Sequence, residues 1–503
     1  MRPPSLPIVF AMLLALPACK RSETPTAQQP GDAAAPAPEN LTIEVRVADG
    51  ILAEPYTGRV YVQITPATDE QPPEPRLANR WVHPPMILAE DVEDWTGSTL
   101  DFHDAELSFP GPASELEPGE YRAQAFIRLN RFSADPGWGD GDAVSPPVTF
   151  SCEEGQEFGF DLVIDREVSV PPPEETERIK WFEQRSELLS DFHGFDYPMQ
   201  AGIKLPADWD PDRSGDYPVL VFIGGFSDDH IGSIRQLEKF GELLDKVVVI
   251  SPNGRNFRGH SVFADSDSIG PWGTALMTEL LPAIDRRFGL AGDSKRFVTG
   301  ISSGGWASIW LQIQWPDSFQ HAWSYVPDPV DFTDFQQIDL YREGDNFFTQ
   351  RDGSRRPVGR FGEQRLWYDD FVHHEDVLGP GMQIHSFEAT FSPRGDDGKP
   401  MPLFDRESGE IDMAVADAFK RFDVSLYLKQ HWTELAPKLE GKLTVKAGGQ
   451  DNFYLEGAVG RLRETMAELG SDADIEVVEG LPHTFHPPTV MEMVKTLNET
   501  RED

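Results

Sequence analysis

Gly300-Ile301-Ser302-Ser303-Gly304-Gly305 sets a serine between glycines two residues away on either side. This G-x-S-x-G spacing has a chemical use. A serine forced into a sharp turn between a strand and a helix needs small neighbours, because backbone and adjoining strands crowd it. Such a turn presents the hydroxyl and aims the next N–H, here that of Ser303, at the place where an oxyanion would form. In a chain with 43 glycines the pattern alone is weak. Its flanks strengthen it: Phe297-Val298-Thr299 is strand-like, and Trp306-Ala307-Ser308-Ile309-Trp310-Leu311 is helix-compatible. Ser302 is the expected nucleophile and Ser303 the fallback. A tight structural turn without chemistry is the competing reading.

A serine hydroxyl attacks well only when a histidine takes its proton, and that histidine needs a carboxylate to fix its tautomer. With a nucleophile on a strand–turn–helix, the chain order is serine, acid, histidine. Asp451 follows the strand-like Leu443-Thr444-Val445-Lys446-Ala447 and is the preferred acid. Asp328, after Ser324-Tyr325-Val326, is the alternative, and either could instead be an Asx-turn residue. Beyond Asp451 the only histidines are His483 and His486. His483 comes first after the turn and is the preferred base. As a His-x-x-His metal pair the two lack the glutamate and helical context of zinc hydrolases, so no metal and no organic cofactor is expected. A second oxyanion donor is expected from Gly224-Gly225-Phe226, through the N–H of Gly225 or Phe226. His230 and His260 lie in similar loops and could reach a substrate, although surface histidines are commoner.

The elements that must position these residues can be read from periodicity. Tyr217 to Ile223 and Lys246 to Ile250 are continuous apolar runs, as strands buried on both faces should be. Thr274 to Phe288 carries an apolar helical stripe, and Pro282 within it predicts a kink or a restart. Strand Arg296 to Thr299, helix Gly305 to Gln314, strand Leu443 to Lys446, a helix near Leu455 to Leu469 and strand Ile475 to Val478 continue the alternation. Alternation of this kind implies a mostly parallel sheet covered on both faces, over residues 196–500. Residues 330–430 break the rhythm; they are aromatic and charged, and read as an insertion that could cap the site, or as a loop excursion with no gating role.

Upstream the grammar differs. Leu41 to Val47, Arg59 to Ile64, Tyr121 to Ile127 and Phe158 to Ile164 alternate with period two, and Gly- and Pro-containing turns separate them. An antiparallel, immunoglobulin-like β-sandwich is expected over 41–170. Gly139-Asp140-Gly141-Asp142 reads as a plain turn rather than a calcium loop, lacking the spaced ligands and terminal glutamate. Pro171-Pro172-Pro173 marks a linker within 171–195, and Glu174 to Leu189 reads as a charged amphipathic helix.

The N-terminus reads as an export signal over 1–18: Arg2, then a short apolar run from Ile8 to Leu16, too short for a permanent membrane span. Leu16-Pro17-Ala18-Cys19 resembles a bacterial lipobox, which makes Cys19 the expected lipidation site and a lipid anchor there the only expected membrane contact. An exported protein, with an outer-membrane lipoprotein as the destination, follows as an expectation. Residues 19–40 are Ala/Pro/polar and read as a flexible tether. Cys152 is expected as a buried thiol, without helpers that would make it reactive. Across 503 residues, 85 Asp and Glu stand against 44 Lys and Arg, a net charge of −41. So negative a surface repels phosphate backbones, which argues against nucleic-acid partners.

Several stretches together resemble the esterase D or enterochelin-esterase-like branch of the α/β-hydrolases, which includes feruloyl esterases and S-formylglutathione hydrolases. They are Leu205-Pro206 with Tyr217-Pro218-Val219-Leu220, Ser251-Pro252-Asn253-Gly254, Glu279 to Asp285, Gly300 to Trp306, Pro316-Asp317-Ser318-Phe319, Gly449-Gln450-Asp451-Asn452 and Pro482-His483-Thr484-Phe485. The likeness covers roughly 200–330 and 438–490. It implies an α/β-hydrolase fold, with Ser302 as nucleophile, Asp451 as acid and His483 as base; the antiparallel β-sandwich expected before it and residues 330–430 are not part of that family's minimal unit, so the resemblance transfers no substrate. Ile301 and Ile223 depart from the histidines usual in that branch and would reshape the acyl pocket.

The activity expected is hydrolysis of a small-molecule or carbohydrate-linked ester through an acyl-enzyme. Two rivals are a serine peptidase of the same architecture and a non-catalytic carbohydrate- or adhesion-binding lipoprotein. A peptide assay separates the first, and the ordered triad argues against the second.

Overall fold

The computed structural model describes residues 41–502 apart from 81–83, 103–106, 154–157, 239 and 292–294. The expected export signal, tether and lipidation site Cys19 lie outside the described residues, as does most of the Glu153-Glu154-Gly155 turn.

The first region is built of β1 (Leu41–Val47), β2 (Tyr56–Pro66), β3 (Met86–Trp95), β4 (Leu100–Asp101), β5 (Leu107–Phe109), β6 (Gly119–Ile127), β7 (Ala143–Val144), β8 (Val148–Cys152), β9 (Phe158–Ile164) and β10 (Arg166–Glu167). One sheet has the order β10-β7-β6-β2-β3-β5, with β8 also on β6, and every pair in it is antiparallel. A smaller sheet has the order β4-β1-β9. There β1 and β9 run parallel in register from Leu41↔Phe158 to Val47↔Ile164, so the small sheet is mixed rather than antiparallel throughout. The two sheets share one apolar cluster, with Ile43, Val45, Leu162 and Ile164 from the small one against Val60, Val62, Ala123 and Ala125 from the large one. The alternation of β1 is the cause: its odd-numbered side chains fill that core. Cys152 ends β8 as a buried thiol whose Sγ donates to Leu116 O at 3.6 Å. Asp142 accepts N–H groups of Leu129, Asn130 and Gly139, and Asp140 accepts that of Val170, which is turn chemistry.

The expected helix over Glu174 to Leu189 is mostly a strand. β11 (Ile179–Ser186) pairs antiparallel with β12 (Tyr197–Lys204) at the edge of the second sheet, and only α1 (Glu187–His193) is helical. Its side chains alternate, Ile179 and Trp181 packing on one cluster and Phe182 on another, so an extended edge satisfies both faces where a helix would present one.

The longer remaining strands are β13 (Val219–Ile223), β14 (Val248–Pro252), β15 (Arg296–Ile301), β16 (Ala322–Tyr325), β17 (Pro357–Phe361), β18 (Gln364–Trp367), β19 (Leu443–Gly448) and β20 (Asp474–Val478). The main sheet has the order β11-β12-β14-β13-β15-β16-β19-β20. Its first three strands pair antiparallel, and from β14 onward every pair is parallel. The longer helices are α2 (His230–Glu238), α3 (Leu281–Phe288), α4 (Ser303–Gln314), α5 (Tyr368–Leu378), α6 (Gln383–Phe391), α7 (Met413–Phe419), α8 (Val424–Leu439), α9 (Glu456–Glu468) and α10 (Pro487–Glu502). A wider helical turn at Leu276–Leu280 precedes α3, and Pro282 stands in the first turn of α3, where its missing N–H costs no bond. The restart reading of Pro282 holds.

Residues 330–430 contain the β17–β18 hairpin and helices α5 to α7. Their aromatic side chains enter the core of the main sheet. Phe332, Phe335, Phe347, Phe387, Phe391 and Phe419 belong to the same buried cluster as Val221 and Ile250. Phe391 also lies 5.2 Å, ring to ring, from Trp306 of the helix that follows the Ser302 turn.

Candidate active site

Ser302 stands between β15 and α4 with φ 58° and ψ −124°, a left-handed conformation that costs a non-glycine residue about 1–3 kcal/mol. Its surroundings hold it there. Ser302 N donates to Tyr325 O at 3.0 Å, and its carbonyl accepts Trp306 N at 3.0 Å and Asp328 N at 3.2 Å. The glycines are required by packing. A Cβ on Gly304 would overlap the carbonyl oxygens of Ile223 and Gly224, one on Gly300 would overlap the backbone of Gly304, and one on Gly305 would lie 2.7 Å from Tyr325 O. The strand ends so close to β13 and β16 that only hydrogen fits.

Asp451 follows β19 and is fully buried. One carboxylate oxygen accepts Phe453 N at 2.8 Å, and the other receives His483 Nδ1 at 2.7 Å. The two loops are tied together: Gly449 N reaches Val478 O at 2.7 Å, Gln450 N reaches Leu481 O at 2.9 Å, and His483 N reaches Asn452 Oδ1 at 3.1 Å. The His483 ring stands edge-on to Phe453, centroids 5.1 Å apart. With Nδ1 held by a carboxylate, the free Nε2 is the atom left to act as a base. Burial disfavours the imidazolium, but the charge and hydrogen bond of Asp451, with Asp328 adding, outweigh it and raise the His483 pKa. His486 is engaged elsewhere, its Nδ1 on Thr489 Oγ1 at 2.9 Å near the start of α10.

Asp328 is not the partner of His483 Nδ1. It stands on the serine side, buried, with Oδ2 accepting Ser303 Oγ at 2.5 Å and Oδ1 at 3.5 Å from Ser302 Oγ. The Ser302 hydroxyl is therefore turned to Asp328 in this structure, and no hydrogen bond joins it to His483. Burial pushes the Asp328 carboxyl up to about 6, while Ser303, His483 and Ser302 pull it down.

Of the expected oxyanion donors, Ser303 opens α4, and Gly225 lies against Ser302: a Cβ there would be 3.3 Å from Ser302 Cβ. Phe226 follows it in the same loop. His230 and His260 are buried rather than at the surface. His230 packs edge-on to Trp181, and His260 Nδ1 accepts Val262 N at 2.9 Å.

Sequence reasoning missed Arg360 of β17. Arg360 N donates to Asn452 O and Asn452 Nδ2 to Arg360 O, both at 2.8 Å. Its Nε donates to Asp451 O at 2.8 Å, and Nη2 pairs with Glu456 at 2.5 Å. The guanidinium covers the Tyr454 ring at 4.6 Å. The insertion thus grips the loop that carries the acid and, through Asn452, the N–H of His483. No local signal marks this arginine, because its partners lie about ninety residues downstream.

Residues 193–375 match the family model described as Putative esterase. No curated protein matches the chain. Among solved structures, a ferulic acid esterase is similar at 15% identity and TM-score 0.38, over 65% of this chain and 98% of that one. An S-formylglutathione hydrolase from Agrobacterium tumefaciens follows at 14% and 0.38, over 64% and 94%. FphF, a fluorophosphonate-binding serine hydrolase of Staphylococcus aureus, follows at 14% and 0.37, over 65% and 98%. The matched segment contains the Gly224-Gly225-Phe226 loop, Ser302 and Asp328, and the match supports a hydrolase of the esterase type.

Proposed function

We propose that the protein is a carboxylic-ester hydrolase that works through an acyl-enzyme on Ser302, with His483 as base and Asp451 as the acid that orients it. The observation that carries this is the 2.7 Å bond from His483 Nδ1 to the buried Asp451, on loops tied to each other beside a strained serine turn. The Ser302 hydroxyl turns from Asp328 to His483 Nε2 and gives up its proton as oxygen bonds to the ester carbon. The carbonyl electron pair moves to oxygen, where the N–H groups of Ser303 and of Gly225 or Phe226 receive it. Collapse expels the alcohol, which takes the proton from His483. Water repeats the sequence and releases the acid. The substrates are small-molecule or carbohydrate-linked esters.

A fluorophosphonate probe tests this. The wild-type chain should label and hydrolyse p-nitrophenyl acetate, and Ser302→Ala should do neither. A Ser302→Ala protein that still labels would overturn the assignment. We further propose that the chain is exported and anchored through an acylated Cys19, and that residues 41–170 form an immunoglobulin-like sandwich. Incorporation of labelled palmitate by wild type but not by Cys19→Ser is the expected result for the anchor.

A further inference from the structure

Two carboxylates, not one, stand around the nucleophile and its base, and the mechanism above uses only Asp451. We propose that Asp328 is a second functional carboxylate of the site, acting on the serine side: it holds the hydroxyls of Ser302 and Ser303 between turnovers and keeps a negative charge beside His483. This rests on the triad reading of Ser302, Asp451 and His483.

Three observations carry it. Asp328 is tied to the nucleophile turn by its backbone as well as its side chain, since its N–H donates to Ser302 O at 3.2 Å while its two oxygens face Ser303 Oγ and Ser302 Oγ. It is 6% exposed, so water contributes little to its solvation and the hydroxyls must do that work. Its charge is felt by His483, which is also faced by Asp451; the groups acting on Asp328 include Ser303, Ser302, His483 and Asp451. A carboxylate kept in such a place is costly unless those groups use it. An Asx turn alone would not point both oxygens at the two serines.

The arrangement has a chemical consequence. In the resting state the Ser302 hydroxyl donates toward Asp328, and attack begins when it turns to His483 Nε2. The proton then lies on an imidazole bonded to Asp451, and the charge of Asp328 on the serine side further stabilises the imidazolium that forms with the oxyanion. The same charge keeps a proton on His483 to higher pH in the free enzyme, and so sets where the acid limb of activity falls.

Asp328→Asn keeps shape and an acceptor for Ser303 while removing the charge. With a neutral ester such as p-nitrophenyl acetate, the midpoint of the acid limb of kcat/KM should move down by about half to one pH unit relative to wild type. Fluorophosphonate labelling should persist, because Asp451 remains on His483. An unmoved midpoint overturns the proposal, and so does labelling abolished at every pH, which would make Asp328 the orienting acid instead. If the Asn variant does not fold by circular dichroism, Ser303→Ala carries the test. It removes the hydroxyl donor, keeps Asp328 protonated to higher pH, and should move the same midpoint down by a smaller amount; no movement overturns the proposal. A wild type that fails to label at all would instead remove the underlying triad reading.

Discussion

At the scale of single residues, the proposed mechanism makes His483 the group that sets the pH dependence. It acts as a base only when neutral, so activity should fall as pH drops through its pKa. That value is raised above the 6.5 of a free imidazole, so the midpoint of kcat/KM should lie above 6.5. The sign for stability is opposite. A raised histidine pKa stabilises the fold fully below 6.5, and this contribution disappears as pH rises through the folded value. Denaturant melts across pH 5.5 to 8.5, compared with those of a His483→Gln variant, should show that divergence. Asp451→Asn leaves shape but breaks the tautomer lock, and kcat should fall about 10⁴-fold, measured on a soluble ester. Gly304→Ala must displace two backbone carbonyls and should cost about 3 kcal/mol or more of unfolding free energy by denaturant titration.

At the scale of elements, the β17–β18 hairpin supports the acid loop. Arg360 presents its backbone to Asn452 and its side chain to Asp451 and Glu456. Arg360→Met keeps the aliphatic stem over Tyr454 and removes the donors. Because a shift of about 1 Å in a catalytic group costs about 10²-fold, kcat should fall 10- to 100-fold with KM little changed. Arg360→Lys should recover only part of this, since a point charge cannot replace the fork. A proportional rise in KM with kcat unmoved would show that the hairpin touches substrate rather than the acid loop. The hairpin lies in the stretch whose periodicity was least regular in sequence. Its helices form because phenylalanines scattered along 330–430 converge on α4 and the sheet, a convergence that no single turn of sequence displays. The strand β11 was illegible for a related reason: charged edge residues obscure an alternation that only its pairing with β12 reveals.

At the scale of the whole molecule, the first region caps the insertion. Helix α5 ends with carbonyls that lack partners within the helix. Arg59 of β2 donates to the carbonyls of Asp376 and Val377 at 2.5 and 2.9 Å, and Tyr61 Oη donates to Leu378 O at 2.8 Å. Arg128 reaches Pro380 O at 3.0 Å, and Arg255 pairs with the half-buried Asp135 at 2.5 Å. A cation at a helix C-terminus also opposes the negative end of its dipole. Tyr61→Phe leaves one buried carbonyl without its donor and should lower stability by about 1–3 kcal/mol. Arg59→Ala should cost at least as much, because two carbonyls lose their partner. Thermal melts should show these losses within the main transition, and two separated transitions would mean that the regions unfold independently.

The glycine-framed serine turn, an aspartate after β19, a histidine after β20 and the parallel run of strands were legible in the sequence itself. Each depends on a local constraint: glycines where only hydrogen fits, apolar runs where both faces are buried, and a fixed chain order of reacting groups. Tertiary structure alone decided that Asp328 faces the serines rather than the imidazole nitrogen, that Arg360 grips the acid loop, and that Arg59 and Tyr61 cap α5. Those contacts join residues from 25 to more than 300 positions apart. They exist because packing brings separate elements together, and a local pattern of residues carries no record of which distant carbonyl or hydroxyl a side chain will meet.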